Sequence, residues 1–292
     1  MAHKWAFIIP EKNIKVELSV MSPKFKMKNK LAIIYFTLSL MSLVSCATQS
    51  GVNKSRPTVQ QKSRALAFSA ILSSVNNESL SELNEGPVDD ELRKRQQQSL
   101  YEWWNIKSRD DLLSTLQWIE DGGHRKVLWE MREHLKLLPI ENLLEEIFKE
   151  TKDKNDFNRK LMAALSLGAP QRKVVDITAW DYGRYISLCR WGYICGYITE
   201  EEAWEMIFPV ARYLQESYTS WNEYAEDYLR GREFWSLTQT IMNGYVHRET
   251  AAKLLADRNS VWNSVPWSLS LGRGPVAQDR FLLGLKNESR AE

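Results

Sequence analysis

Three cysteines and four histidines in 292 residues leave little from which to build a disulfide scaffold or a metal centre. Cys46 stands alone near the N-terminus, and Cys189 and Cys195 lie six apart on one expected helix, roughly 9 Å along its axis, farther than a disulfide tolerates. They are expected to be two buried thiols. Past residue 45 only His124, His134 and His247 remain, and no two share the three- or four-residue spacing that puts paired imidazoles on one helix face, so no metal is expected. There is no phosphate-binding loop, dinucleotide fingerprint or serine elbow, and Gly272-Arg273-Gly274-Pro275 reads as a turn, so no cofactor is expected either. No stretch sustains strand alternation between hairpin turns and no segment repeats at a fixed period, which excludes sandwiches, barrels and solenoids. The longest apolar run, Leu31 to Val44, falls short of the roughly 20 residues that span a bilayer.

A strong charge of either sign is also missing. The formal charge is +2, but residues 1–45 hold seven of the 39 basic and two of the 37 acidic residues, leaving 32 against 35 and a net −3. A chain near neutrality carries no electrostatic footprint for nucleic acid.

What is abundant is aromatic surface, concentrated between residues 178 and 235, where five of the twelve tryptophans stand. Thr178 is placed to cap a helix ending near Cys195, with Gly196 supplying the left-handed residue after it. Trp180, Arg184, Ser187, Trp191 and Cys195 share one side of that helix and Tyr182, Ile186, Cys189 and Tyr193 the other, so neither face reads as solvated and the helix is expected to be central and buried. Thr199 and Glu202 form a capping box for a second helix with the apolar stripe Trp204, Ile207, Phe208, Ala211 and Leu214, in which Pro209 is expected to introduce a kink. Ser220 and Glu223 repeat the box before a third helix that Gly231 is expected to close.

The run AWDYGRYISLCRWGYICGYITEEEAW, followed by SWNEYAEDYLRGREFW, resembles the core signature of the bacterial family known as domain of unknown function 1266. The likeness extends upstream through Trp103, Trp104 and the turn from Gly123 to Arg125, covering most of residues 65 to 240. The resemblance implies a mainly helical bacterial domain and brings no established activity.

Upstream, Lys28 and Lys30 supply a basic n-region after Met27, the apolar run follows, and Leu43-Val44-Ser45-Cys46 resembles the lipobox of bacterial lipoproteins. Residues 27–45 therefore read as a lipoprotein signal, Cys46 as the acylated residue and 46–62 as a hydrophilic tether. Ala47, where an aspartate would retain the protein, points to the outer membrane, facing the periplasm. Residues 1–26 precede a complete signal and read as an upstream extension from a misassigned start.

Beyond the tether the pattern predicts helices over 64–75, after Asp89 and Asp90, after Ser108, and over 124–138, 140–151 and 157–167. Helical character continues past Trp235 to Met242 and resumes over 248–257. The fold expected is all-α, a single domain of about ten helices over 63–285 around the Trp/Tyr-rich central helix.

No residue is assigned a catalytic role. Asp181 and Arg184, three apart on the buried helix, are expected to form a buried ion pair, with each other or with Arg190 and nearby acids, because a charge removed from water must be paired. The competing expectation sets them in an acidic cleft with Glu200, Glu201 and Glu202 for general acid-base work. Tryptophans at helical spacing are expected in the core, whereas Trp262 and Trp267, in a Pro-broken segment, are the candidates for an exposed glycan-stacking surface. Three functions compete: a non-enzymatic lipoprotein that binds a protein partner in an immunity or envelope-assembly role, a hydrolase-like enzyme, and a glycan or peptidoglycan binder. A contiguous apolar surface patch would favour the first, converging solvent-reachable carboxylates the second and exposed coplanar aromatics the third.

Overall fold

The structure, a computed structural model, describes residues 56–149, 151, 153, 155–167, 177–236 and 245–288. The expected signal peptide, Cys46 and the extension before Met27 lie outside the described residues, as does the helix continuation over 237–242. Among the described residues all regular structure is helical, with no strand.

The described residues hold thirteen α-helices, in order α1 Val59–Leu66, α2 Ala70–Val75 after a 3-10 turn at Ala67–Ser69, α3 Asp90–Trp104, α4 Arg109–Glu120, α5 Gly123–Lys136, α6 Ile140–Phe148 and α7 Asp156–Leu165. Then come α8 Thr178–Ile194, α9 Glu200–Ser217, α10 Trp221–Trp235, α11 Tyr245–Ala256, α12 Val261–Ser264 and α13 Arg280–Glu288. α1 starts inside the stretch read as tether, because Thr58 and Gln61 form a reciprocal capping box ahead of it. Ser108 and Thr199 cap α4 and α9 as the sequence predicts, and Asp89, read with Asp90 as favouring a helix start, caps α3. The box before α10 is only half made. Ser220 accepts from Glu223 N, but the Glu223 carboxylate turns to Thr219, accepting from its backbone N and hydroxyl at 2.8 Å each.

α8 is the central helix: every residue from Thr178 to Ile194 is buried except Tyr193, which is partly so. It packs against α9, α10, α4 and the 3-10 turn. Its C-terminus closes as expected, with Gly196 at φ +74° and Tyr197 N donating to Gly192 O. Its N-terminus does not. Thr178 is the buried first helical residue, and the cap position belongs to Ile177, held at φ +66°, where a β-branched side chain is strained. The acceptor that the start requires comes from α10: Asp227 takes Ile177 N on Oδ1 at 3.0 Å and Ala179 N on Oδ2 at 3.1 Å, and the Tyr218 hydroxyl donates to Oδ2 at 2.7 Å.

Gly231 does not close α10, which continues to Trp235. It marks where α10 crosses α8, since a Cβ there would lie 2.2 Å from Trp180 Cβ. α9 runs unbroken through Pro209, whose carbonyl accepts from Ala277 N.

Beside α8 and α10 lies an aromatic cluster. Trp221 stacks on Trp262 with ring centres 5.1 Å apart and meets Phe68 and Trp267 edge-on or tilted. The fully buried Arg64 guanidinium lies 4.2 Å from the Trp221 ring and 4.6 Å from the Trp267 ring, and donates to Trp267 O. Burial in this apolar setting pulls its pKa down to about 9.

Candidate functional site

Asp181 and Arg184 meet each other, as the ion-pair reading requires, and the partners around them come from elements far away in the chain. Arg184 Nη2 donates to Asp181 Oδ1 at 2.5 Å. The other oxygen, Oδ2, accepts Arg125 N at 3.0 Å and Arg125 Nη1 at 3.2 Å. Arg125 is the third residue of α5, so Asp181 on α8 caps the start of α5 just as Asp227 on α10 caps the start of α8. Gly123 makes the approach feasible: its φ is +51°, and a Cβ would sit 2.6 Å from Asp181 Oδ2.

Arg125, itself fully buried, donates through Nε and Nη2 to the two oxygens of Asp279 at 3.1 and 3.2 Å, and through Nη2 to the Tyr182 hydroxyl. Asp279 in turn accepts from Leu282 N at the start of α13 and from the Tyr213 hydroxyl. Arg184 lies between the Trp104 and Trp180 rings and donates Nη2 to His124 Nδ1 at 2.9 Å. Arg190, an alternative partner considered for Asp181, points instead to Ser73, Glu78 and the carbonyls of Glu82 and Leu83.

Electrostatics follow from this geometry. Burial pushes the Asp181 carboxyl up, but His124, Arg184 and Arg125 outweigh it and hold the group well below the usual carboxylate range. Burial, then Arg184, lowers the pKa of His124. His124 Nδ1 faces Arg184 Nη2 at 2.9 Å and Asp181 Oδ1 at 3.5 Å; it accepts from the guanidinium in the neutral ring that burial favours, and donates to the carboxylate when protonated. His124, at 18% side-chain exposure, is the member of the cluster nearest solvent, while Asp181 is at 0%. In this state Asp181 offers no reachable lone pair and His124 has committed its own to Arg184, so neither is placed to accept a proton from a ligand.

Glu200, Glu201 and Glu202 do not join this cluster. They follow the far end of α8, and the thirteen residues from Asp181 to Ile194 alone separate the sites by roughly 20 Å at 1.5 Å per residue. Glu202 accepts a two-pronged contact from Arg109 Nη1 and Nη2 at 3.0 and 2.7 Å, Glu200 accepts from Trp204 Nε1 at 3.0 Å and Lys62 Nζ at 3.3 Å, and Glu201 is exposed. The converging acidic cleft is therefore absent from the described residues. An open surface cleft near that end is lined by Lys94, Gln97, Gln98, Tyr101, Lys107 and Tyr197 and holds no carboxylate.

The two tryptophans expected at the surface are not there. Trp262 is 2% exposed, donates Nε1 to Ala67 O at 2.9 Å and lies in a helix capped by Ser260, and Trp267 is half-buried against Phe68 and Arg64. A flat sugar-stacking face cannot be built from them. Cys189 and Cys195 are free and buried, as expected, and burial raises both thiols, that of Cys195 to about 12.

Exposed apolar surface is instead found on α6 and α7, where Ile140, Leu144 and Phe148 and then Phe157, Leu161 and Leu165 face outward. Sequence reading identified both helices and missed this face. The signal was present in IENLLEEIF, whose apolar residues cover more of the helix circumference than one buried face needs. Arg125, His124, Asp227 and Asp279 were missed for a different reason, since each acts on an element distant in sequence.

The model of a family described as a protein of unknown function (DUF1266) matches residues 99–267. This range starts later and ends later than the resemblance over 65 to 240. An uncharacterized protein of Escherichia coli (strain K12), YbeR, is 27% identical over 135 residues, 45% of this chain and 54% of that protein. The chain thus spans about half the length of this curated relative. No solved structure matches.

Proposed function

The chain belongs to the DUF1266 family of proteins of unknown function, and from that premise we propose that it is a non-enzymatic, lipid-anchored domain that binds a protein partner. The supporting observation is the outward apolar face of α6 and α7, which a domain working alone would leave as a liability in water. The buried polar centre fits the same reading. Asp181 and Asp279 neutralise Arg125 and Arg184, and the two carboxylates hold helix starts in place, which is a scaffold task.

The anchor in this reading is diacylglyceryl on Cys46, at the outer membrane and facing the periplasm, in an immunity or envelope-assembly role. No helix among the described residues is long and apolar enough to cross a membrane. With Cys46→Ser, palmitate labelling and membrane retention are both expected to be lost. Label that persists would rule out Cys46 as the acylated residue.

Complementation of a deletion strain separates scaffold from chemistry. The Leu144→Glu/Phe148→Glu chain is expected to fold and fail, whereas Asp181→Asn/Arg184→Met is expected to fold and function. The opposite pattern, with the polar-centre variant folded but inactive, would transfer the reading to acid-base catalysis, because packing cannot replace a proton-transfer group contributing roughly 100-fold or more to rate.

A further inference from the structure

We infer that the outward face of α6 and α7 pairs two copies of this chain, an inference that rests on the protein-binding reading above and names the partner. At 100° per residue the apolar residues of α6 cover a stripe roughly 140° wide, from Leu143 and Ile147 round to Ile140, Leu144 and Phe148. The fold covers only the first half. Ile147 is buried and Leu143 packs against the core, while Ile140, Leu144 and Phe148 are 83%, 64% and 67% exposed. On α7 the same four-residue step places Phe157, Leu161 and Leu165 outward, with Asn158 and Ala163 buried behind them.

The two stripes form one surface. Phe148 and Phe157 have ring centres 5.3 Å apart, and Lys160 Nζ lies 3.1 Å from Glu146 Oε1, which sets the helices side by side. With roughly 150 to 250 Å² per large side chain, the six residues leave on the order of 800 Å² of apolar surface in water. That exceeds the ~300 to 600 Å² of the largest patch on an ordinary monomer and matches one partner's share of a standard interface of ~1,600 Å². A helical hairpin from each copy, related by a two-fold axis, closes into a four-helix layer whose contacts are the same on both sides.

The charges at the rim select a second copy over a lipid surface. Glu141 at the start of α6 and Glu145 past its middle border the apolar stripe, and Lys149, exposed and 3.7 Å from Glu146 Oε2 of its own chain, stands just past the helix end. An antiparallel copy brings each acidic end to the other's basic end and opposes the two helix dipoles. An anionic leaflet would instead meet carboxylates and be repelled.

The test is sedimentation velocity of the full-length chain in detergent solution. A species of twice the single-chain mass is expected. Ile140→Glu/Leu144→Glu should weaken it roughly 100-fold or more, because four carboxylates would enter a dry interface. The helical circular dichroism should not change, since these side chains already lie in water in the single copy. Leu144→Cys provides a variant that retains the apolar face: a bis-maleimide spanning about 10 Å, one helix-to-helix distance, is expected to join two copies, and the parent chain is expected to remain unjoined. Glu141→Lys should weaken pairing and Lys149→Glu in the same chain should restore it.

A chain that stays monomeric at its highest soluble concentration overturns the pairing. If Leu144→Glu/Phe148→Glu still fails complementation in that case, the protein-binding reading survives with a different partner; if it complements, both readings fall. A dimer that ignores Ile140→Glu/Leu144→Glu forms elsewhere and overturns the inference. So does patch-dependent binding of the Cys46→Ser chain to phosphatidylcholine/phosphatidylglycerol vesicles, which would assign the face to lipid.

Discussion

The starts of α5 and α8 are built the same way, and the pKa values of their caps move in opposite directions. Each is capped by an aspartate from another helix, Asp181 for α5 and Asp227 for α8, and each aspartate is fully buried. Around Asp181 stand two guanidiniums, which outweigh its burial and keep the carboxylate ionised. The donors to Asp227 include two backbone amides and a tyrosine hydroxyl, with Arg230 at 3.8 Å, and burial raises its pKa further than these contacts lower it. The difference teaches that one capping task leaves a carboxyl depressed where countercharge outweighs burial and raised where burial wins.

Removing the cap that lies between two guanidiniums should have the larger effect. Asp181→Ala leaves Arg184 and the first turn of α5 without their acceptor and is expected to cost about 3 to 5 kcal/mol, read from urea denaturation midpoints. The Asp181→Asn/Arg184→Met pair should recover much of that loss, since Arg125 keeps Asp279 and Tyr182. An Asp181→Ala protein as stable as wild type would overturn the buried-pair account.

Asp227→Asn keeps one good acceptor and turns the other oxygen into a donor facing Ala179 N. A loss of about 1 to 3 kcal/mol is expected. If it equals the cost of Asp181→Ala, countercharge does not distinguish the two caps.

Acid titration sharpens the contrast, because the two groups should tilt stability in opposite directions. Asp181 has a depressed folded pKa, so its contribution is complete above the unfolded value near 3.9 and is lost as the pH falls towards the folded one. The stability gap between wild type and Asp181→Asn should therefore shrink on acidification from pH 5 to pH 2. Asp227 has a raised folded pKa, so its contribution is complete below about 3.9 and is lost as the pH rises through the folded value. The gap between wild type and Asp227→Asn should widen as the pH falls from 7 to 4. Denaturation midpoints across this range, at about 1.4 kcal/mol for each unit of pKa difference, decide both slopes.

The exposed pair Arg109 and Glu202 is the control, with the same chemistry held in water. Glu202→Gln is expected to shift the denaturation midpoint far less than Asp181→Ala does, and the part due to Arg109 should vanish in 1 M salt. An equal shift would mean that exposure does not separate the surface pair from the buried centre.

Local punctuation was legible wherever a helix is capped by its own neighbours. Asp89, Ser108 and Thr199 stand immediately before the amides they accept from, and the all-round apolar pattern of α8 announced a buried helix. Thr178 misled because it has the right side chain at the right place for a cap. The position is dry, and the acceptor is supplied by a residue 50 positions later. Trp262 misled because Pro266 suggested a loop, although the Ser260 cap ahead of it marks a short helix that turns the indole inward. Of the polar centre, sequence spacing revealed Asp181 and Arg184, which share one face of one helix. It could not reveal Arg125 or Asp279, whose partners lie 56 and 154 positions away.

Those separations also set an order of events on a chain synthesised from its N-terminus. The first turn of α5 waits 56 residues for Asp181, and the first turn of α8, which carries Asp181, itself waits 50 residues from Ile177 for Asp227. Arg125 acquires its second carboxylate only when residue 279 has emerged. Such contacts bridge long loops before they return any stability, which slows folding and leaves the unfinished chain with a buried-type arginine and an open apolar helix in water. Stopping synthesis before Asp279 should therefore leave the polar centre unable to close, although all the central helices would already be present.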